Sequence, residues 1–79
     1  MKLPRDLSGG ALIKHLGRSW DYRIVHQVGS HVILQTDIPA HQRLPVPNHA
    51  VLRVGTLNSI LRLVANHKGV TKEEILAGL

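Results

Sequence analysis

A predicted β-hairpin near the middle of the chain constrains the fold more than any other feature. Residues 22–28 and residues 31–36 are both rich in β-branched or aromatic side chains, which favours two strands. Gly29 and Ser30, which separate them, suit a two-residue type II′ turn, because glycine can adopt the positive φ that the first turn position requires. The sequence therefore predicts an antiparallel sheet with this hairpin in it.

Helices are predicted on both sides of this hairpin. Residues 8–19 are predicted to form a helix with Ser8 as its N-cap, and a second helix is predicted to end at Gly69. Thr71 and Glu74 have the spacing of a capping box, which predicts a short third helix. The apolar residues recur at helical spacing in the first two of these segments: Leu12, Ile13, Leu16 and Trp20, then Leu57, Ile60, Leu61 and Val64.

A third, weaker strand is predicted over residues 42–46. Pro45 and Pro47 cannot donate to a strand ladder, so this strand either lies at the sheet edge or ends early. With only 79 residues, the chain has room for one small domain, predicted to span residues 1–79. We therefore predict an α+β fold, with a three-stranded antiparallel sheet, helices packed on one face and the other face open or half-open.

The composition excludes several functional classes. The chain has no cysteine, which excludes disulfides and thiolate metal sites and fits a reducing, cytoplasmic environment. The start of the sequence lacks the apolar region of a secretory signal, and no apolar run approaches the roughly 18 residues of a membrane span. We therefore expect a cytoplasmic protein with no membrane contact.

The basic charge favours an anionic partner. Ten Lys and Arg against five Asp and Glu give a formal net charge of +5. Five cations and no acidic residue lie between Asp37 and Glu73: Arg43, Arg53, Arg62, Lys68 and Lys72. With few aromatic residues, such a surface favours a phosphate backbone over base stacking. A solvated basic face or an acidic protein partner would explain the charge equally well, and charge does not separate RNA from DNA.

The six histidines do not have the spacing of a metal site. No metal and no cofactor is therefore expected. Four of them are predicted to lie at the surface or to cap helices: His15, His41, His49 and His67.

His31 differs from the other histidines because it directly follows the predicted turn. Its imidazole would be held on rigid backbone and remain accessible, which makes it the strongest candidate for acid–base catalysis, although a histidine filling a turn corner would look the same. If the turn has two residues, His26 lies diagonal to His31 on one face, about 7–8 Å away. A different turn length would move His26 to the other face.

Four segments together form a more specific pattern: Leu7-Ser8-Gly9, Gln27-x-Gly29-Ser30-His31, Val46-Pro47 followed by Leu52-Arg53-Val54-Gly55-Thr56-Leu57-x-x-Ile60-Leu61, and Thr71-x-Glu73-Glu74-Ile75. In order and spacing this pattern resembles the HicA (YcfA-like) toxins, which are small mRNA interferases of bacterial and archaeal toxin–antitoxin pairs. The resemblance covers almost the whole chain.

The resemblance implies a fold like a double-stranded-RNA-binding domain, α-β-β-β-α, and an endoribonuclease that cleaves mRNA without a metal ion or the ribosome. It implies that His31 is the catalytic residue, positioned by Gly29 and Ser30. It also implies a HicB-like antitoxin that occludes the active site, with operator DNA contacted through the antitoxin rather than directly. Candidate RNA or phosphate contacts are Arg23, His26, Gln27 and Arg43.

One residue departs from the family pattern. Many relatives carry a basic residue, often arginine, where this chain has His26. The imidazole either weakens phosphate binding or takes part in proton transfer. Two other functions fit the same residues: a non-catalytic RNA-binding module of the double-stranded-RNA-binding type, and a protein-interaction domain with a basic face.

Overall fold

The computed structural model describes residues 3–79, and its elements follow the predicted order. They are α1 (Gly9–Ser19), β1 (Arg23–Val28), β2 (His31–Thr36), β3 (Gln42–Pro47), α2 (Val54–Lys68) and α3 (Lys72–Leu76). The strands form one antiparallel sheet in the order β1-β2-β3. The predicted α+β fold, with a three-stranded antiparallel sheet, is confirmed.

Three helix ends lie where the capping residues predict them. The Ser8 hydroxyl accepts a hydrogen bond from the Ala11 N–H at 3.0 Å, which satisfies a free donor of the first turn of α1. Gly69 ends α2 with a φ of 70°, a left-handed conformation that glycine adopts at little cost. Thr71 and Glu74 form both bonds of the capping box at the start of α3. All three predictions are confirmed.

The two faces of β2 separate the core from the open surface. Val32, Leu34 and Thr36 are buried, while His31 on the other face is exposed. β3 repeats this alternation with buried Leu44 and Val46, which pair with Leu34 and Val32. Apolar residues of the helices complete the core, including Leu12, Leu16, Leu57, Leu61, Val64 and Ile75. One sheet face is therefore packed against helices and the opposite face is free.

Both edge strands depart from a regular sheet. β3 continues through Pro45 and Pro47, so these prolines mark an edge strand and do not end it early. All six residues of β1 are exposed, because the helices pack mainly against β3. Between Ile24 and His26 the register of β1 shifts, which is a β-bulge.

The loop between β2 and β3 is tied to the end of α2. The Lys68 ammonium donates to the Thr36 hydroxyl at 2.9 Å and to the Ile38 carbonyl at 2.6 Å, and it lies 5.0 Å from the centre of the Tyr22 ring. Burial lowers the pKa of Lys68 and raises the pKa of Tyr22 to about 12. This contact closes the sheet end that lies away from the hairpin turn.

No helix found within residues 3–79 combines the length and the apolar character needed to cross a membrane.

Candidate active site

The hairpin turn that precedes His31 is braced by two hydrogen bonds. Gly29 has a φ of 59°, whereas Ser30 is outside the positive-φ region, as a type II′ turn requires. The Gln27 side-chain amide donates to the Gly29 carbonyl at 3.1 Å, and the Asn48 N–H donates to the Ser30 carbonyl at 2.7 Å. The turn is therefore braced both by β1 and by the loop that follows β3.

His31 lies on the open face of the sheet, at the first position of β2. It pairs with Val28 on one side and with Pro47 on the other, and its side chain is exposed. Proline and valine offer no competing proton donor or acceptor in their side chains. The His31 ring is thus carried by a strand that is paired on both sides, and it is accessible to a ligand that lies across this face.

His26 shares this face with His31. It pairs with Ile33, two residues along β2 from His31, so the two imidazoles belong to diagonal positions about 7–8 Å apart. This pairing follows from the two-residue turn, which aligns Val28 with His31. The geometry predicted for a two-residue turn is therefore present.

Arg23 and Arg43 are on the open face too, but at its other end. Both pair with Gln35, which lies four residues from His31 and so about 13 Å along the strand. Arg23 also forms an ion pair with Asp37 at 2.9 Å, and the Arg43 guanidinium donates to the Gln35 side chain at 3.2 Å. The structure does not bring either arginine to His31.

Asp37 lowers the free positive charge at that end. Hydrogen bonds from Arg23 and then from His41 hold the pKa of the exposed Asp37 carboxyl below its ordinary value. Of the two arginines that pair with Gln35, Arg43 has no carboxylate partner among residues 3–79.

Gln27 faces away from His31. It pairs with Val32, which points toward the helices, and its amide contacts the turn. The structure therefore places Gln27 as a support of the turn and not on the face that carries the histidines.

The sequence did not reveal that the start of α1 also lies at this end of the molecule. The Gly9 N–H donates to the His49 carbonyl at 2.9 Å, and a Cβ at Gly9 would stand only 2.0 Å from the Pro47 carbonyl oxygen. Asn48, in the loop after β3, donates to the Ser30 carbonyl of the hairpin turn. The exposed His49, its neighbour in that loop, therefore lies close to the turn. Contacts between residues so far apart in sequence leave no local pattern that could have predicted them.

The other histidines have structural contacts. For His15 the sequence left open a surface position or a helix cap, and the structure shows the cap: His15 is 7% exposed, and its Nε2 donates to the Ile75 carbonyl at 2.6 Å in the last turn of α3. His67 donates to the Ala40 carbonyl at 2.7 Å, and His41 contacts Asp37 at 3.2 Å. Within residues 3–79 no group of three or more His, Cys, Asp or Glu side chains could hold a metal ion.

Comparison with known proteins identifies one family. The family model described as "HicA toxin of bacterial toxin-antitoxin" matches residues 11–65, from α1 to the last turn of α2. Neither a curated protein nor a solved structure matches the chain. The matched residues include the whole hairpin and make up more than half of the 79-residue chain. The chain therefore belongs to the HicA toxin family and is the toxin of a toxin–antitoxin pair, with a cognate antitoxin as its partner.

Proposed function

We propose that this toxin is a metal-independent endoribonuclease that cleaves mRNA, with His31 as its catalytic residue. The observation that carries the proposal is the exposed position of His31 on an open sheet face, directly after a turn that two hydrogen bonds hold in place. Positioning of this kind is what general acid–base catalysis requires of a side chain. Membership of a toxin family supports a damaging activity on a cellular target.

RNA makes this chemistry feasible for a small protein, because the 2′-hydroxyl of the substrate is itself the nucleophile. His31 accepts the proton of that hydroxyl as its oxygen forms a bond to the adjacent phosphorus. The bond from phosphorus to the 5′-oxygen breaks in line with this attack. The products are a 2′,3′-cyclic phosphate and a 5′-hydroxyl end, once the leaving oxygen has taken up a proton.

His26 is the proposed donor of that second proton. It is on the same face as His31 and diagonal to it, so one phosphate can lie between the two rings. The imidazole that replaces the basic residue of many relatives would then act in proton transfer. Because one ring must be neutral and the other protonated, the rate should rise and then fall with increasing pH.

Arg23 and Arg43 are proposed to bind the RNA backbone away from the cleaved bond. They are about 13 Å from His31 along the strand, too far to contact the reacting phosphate but on the same open face. The apolar surface of Ile33 and Pro45 lies between the two ends of this face. Binding by phosphate contacts predicts an affinity that falls steeply as salt increases.

The test is cleavage of RNA by purified protein in the presence of EDTA. His31→Ala should slow cleavage by about 10²- to 10⁴-fold, the usual contribution of positioned acid–base catalysis. The matched control is His41→Ala, which removes another exposed histidine at the opposite end of the sheet and should leave the rate unchanged. His26→Ala should abolish the fall of the rate at high pH.

Three results would contradict the proposal. Equal rates for His31→Ala and the wild-type protein would remove His31 from the mechanism. A 5′-phosphate product would exclude attack by the 2′-hydroxyl. Wild-type protein that binds RNA without degrading it would be a non-catalytic RNA-binding module.

A further inference from the structure

β1 is exposed on both faces of the sheet, which is unusual for a strand that carries apolar side chains. Ile24 is 60% exposed and pairs with Leu34, so it lies on the helix side, where no helix covers it. Val28 is also 60% exposed and lies on the open side beside His31. Exposed apolar side chains on both faces of one strand are typical of a surface that a partner covers.

The two edges of the sheet differ in their capacity to bind another strand. β3 has no N–H at Pro45 and Pro47, so it cannot extend a hydrogen-bond ladder there. In a two-residue hairpin the pair that flanks the turn is hydrogen-bonded and the next pair is not. Gln27 belongs to that next pair, so its N–H and C=O point toward the free edge of β1. β1 is therefore the edge with free donors and acceptors.

We propose that β1 is the docking edge for an extended strand of the antitoxin, which adds to the sheet as a fourth strand. Strand addition would pair the free main-chain groups of β1 and cover Ile24 with side chains of the partner. The proposal rests on the toxin–antitoxin pairing and does not require that the chain cleave RNA.

Charge decides between the antitoxin and a second copy of the chain. Each copy carries +5, so pairing of two β1 edges would bring like charges together. Asp37 is the carboxylate used in both ion pairs present within residues 3–79, so most of the cations remain available to a partner. The strand that docks is therefore expected to belong to a protein with acidic residues near it.

Docking at β1 would also affect access to His31. Neighbouring strands lie about 4.8 Å apart, so the added strand would be roughly 10 Å from β2. Its side chains on the open side would border His26 and Val28, which lie on the same face as His31. A long side chain of the antitoxin could reach across that distance to the catalytic histidine.

The first experiment is amide hydrogen exchange of the wild-type toxin, free and saturated with antitoxin purified from co-expression. Exchange at Gln27 should slow in the complex, because its N–H becomes bonded to the added strand. The outward edge of β3 should change little. If Gln27 exchanges at the same rate in both samples, strand addition at β1 is excluded.

The second experiment compares two variants in a His31→Ala background, so that binding is measured apart from cleavage. Ile24→Glu should weaken antitoxin binding about tenfold or more, as expected when a buried contact is replaced by a charge. Leu63→Glu is the matched control, since Leu63 is 51% exposed on α2. It should bind within about twofold of the parent protein. Equal losses in the two variants would overturn the proposal.

Sedimentation of the free toxin tests whether a second copy of the chain binds at β1 instead. A monomer is expected, and a dimer that Ile24→Glu dissociates would assign β1 to a second copy instead. Loss of antitoxin binding in Ile24→Glu together with absent RNA cleavage by the wild type would uphold the docking edge and refute only the nuclease.

Discussion

Replacing Gly9 with alanine tests how closely α1 packs against the loop that braces the hairpin turn. Gly9 is buried, and an added Cβ would lie 2.0 Å from the Pro47 carbonyl oxygen and 2.9 Å from the Asn48 Cα. Both neighbours are main-chain atoms, which cannot rotate away as a side-chain end could. Accommodation therefore requires that the helix move relative to the loop.

The size of this movement sets the expected loss of stability. An ordinary contact of about 3.5 Å requires a shift of roughly 1.5 Å, which would break the 2.9 Å bond from the Gly9 N–H to His49. Overpacking costs about 1–3 kcal/mol and the lost hydrogen bond about 1 kcal/mol, whereas alanine regains up to about 1 kcal/mol of helix propensity. The free energy of unfolding should fall by about 2 kcal/mol.

The measurement is thermal unfolding followed by circular dichroism, with urea unfolding as a check. A loss of this size should lower Tm by about 8–16 °C in a chain of this length. Gly10→Ala is the matched control, because its Cβ would meet only the Asn48 side chain, at 3.5 Å. Its Tm should stay the same or rise. The reasoning is refuted if Gly9→Ala and Gly10→Ala have the same Tm, or if Gly9→Ala is as stable as the wild type.

Two further predictions concern the opposite end of the sheet. The carboxyl of Asp37, followed by NMR, should titrate below its ordinary pKa, and Arg23→Gln should move that midpoint up. Because folding lowers this pKa, the ion pair stabilises the fold at pH values above the unfolded-state pKa. The stabilisation is lost as the pH falls through the folded-state pKa. An unshifted Asp37 midpoint would contradict the contact. Lys68→Met should lower the free energy of unfolding by about 2 kcal/mol, because the buried Thr36 hydroxyl loses a charged donor. Urea unfolding checks this against Arg62→Met, an exposed cation whose loss should change little; equal midpoints would show that the Lys68 contacts do not stabilise the fold.

Local signals in the sequence predicted the elements well, because each signal acts within a few residues. Ser8, Gly69 and the Thr71–Glu74 pair cap helices through main-chain groups three or four positions away. The type II′ turn likewise depends on the single residue that can take a positive φ there. These short-range rules were enough to predict the order of elements and the exposed position of His31 after its turn.

Long-range packing determined what the sequence could not show. The sequence left open whether His15 lies at the surface or caps a helix, and only the packing of α3 against α1 makes the Ile75 carbonyl its partner. The close contact that requires a glycine at position 9 forms only where α1 meets the loop after Pro47. Both contacts join residues far apart in the chain, so neither leaves a periodic pattern.

The sequence by itself determined that a histidine follows a tight hairpin turn in a small basic α+β domain, because turn chemistry and charge are local properties. The tertiary structure decided which side chains share the face of that histidine. The bulge between Ile24 and His26 shifts the register of β1, so that Arg23 pairs with Gln35 on the open face while Ile24 turns to the helix side. The tertiary structure also decided that no helix within residues 3–79 covers β1, because the helix layer does not extend that far across the sheet.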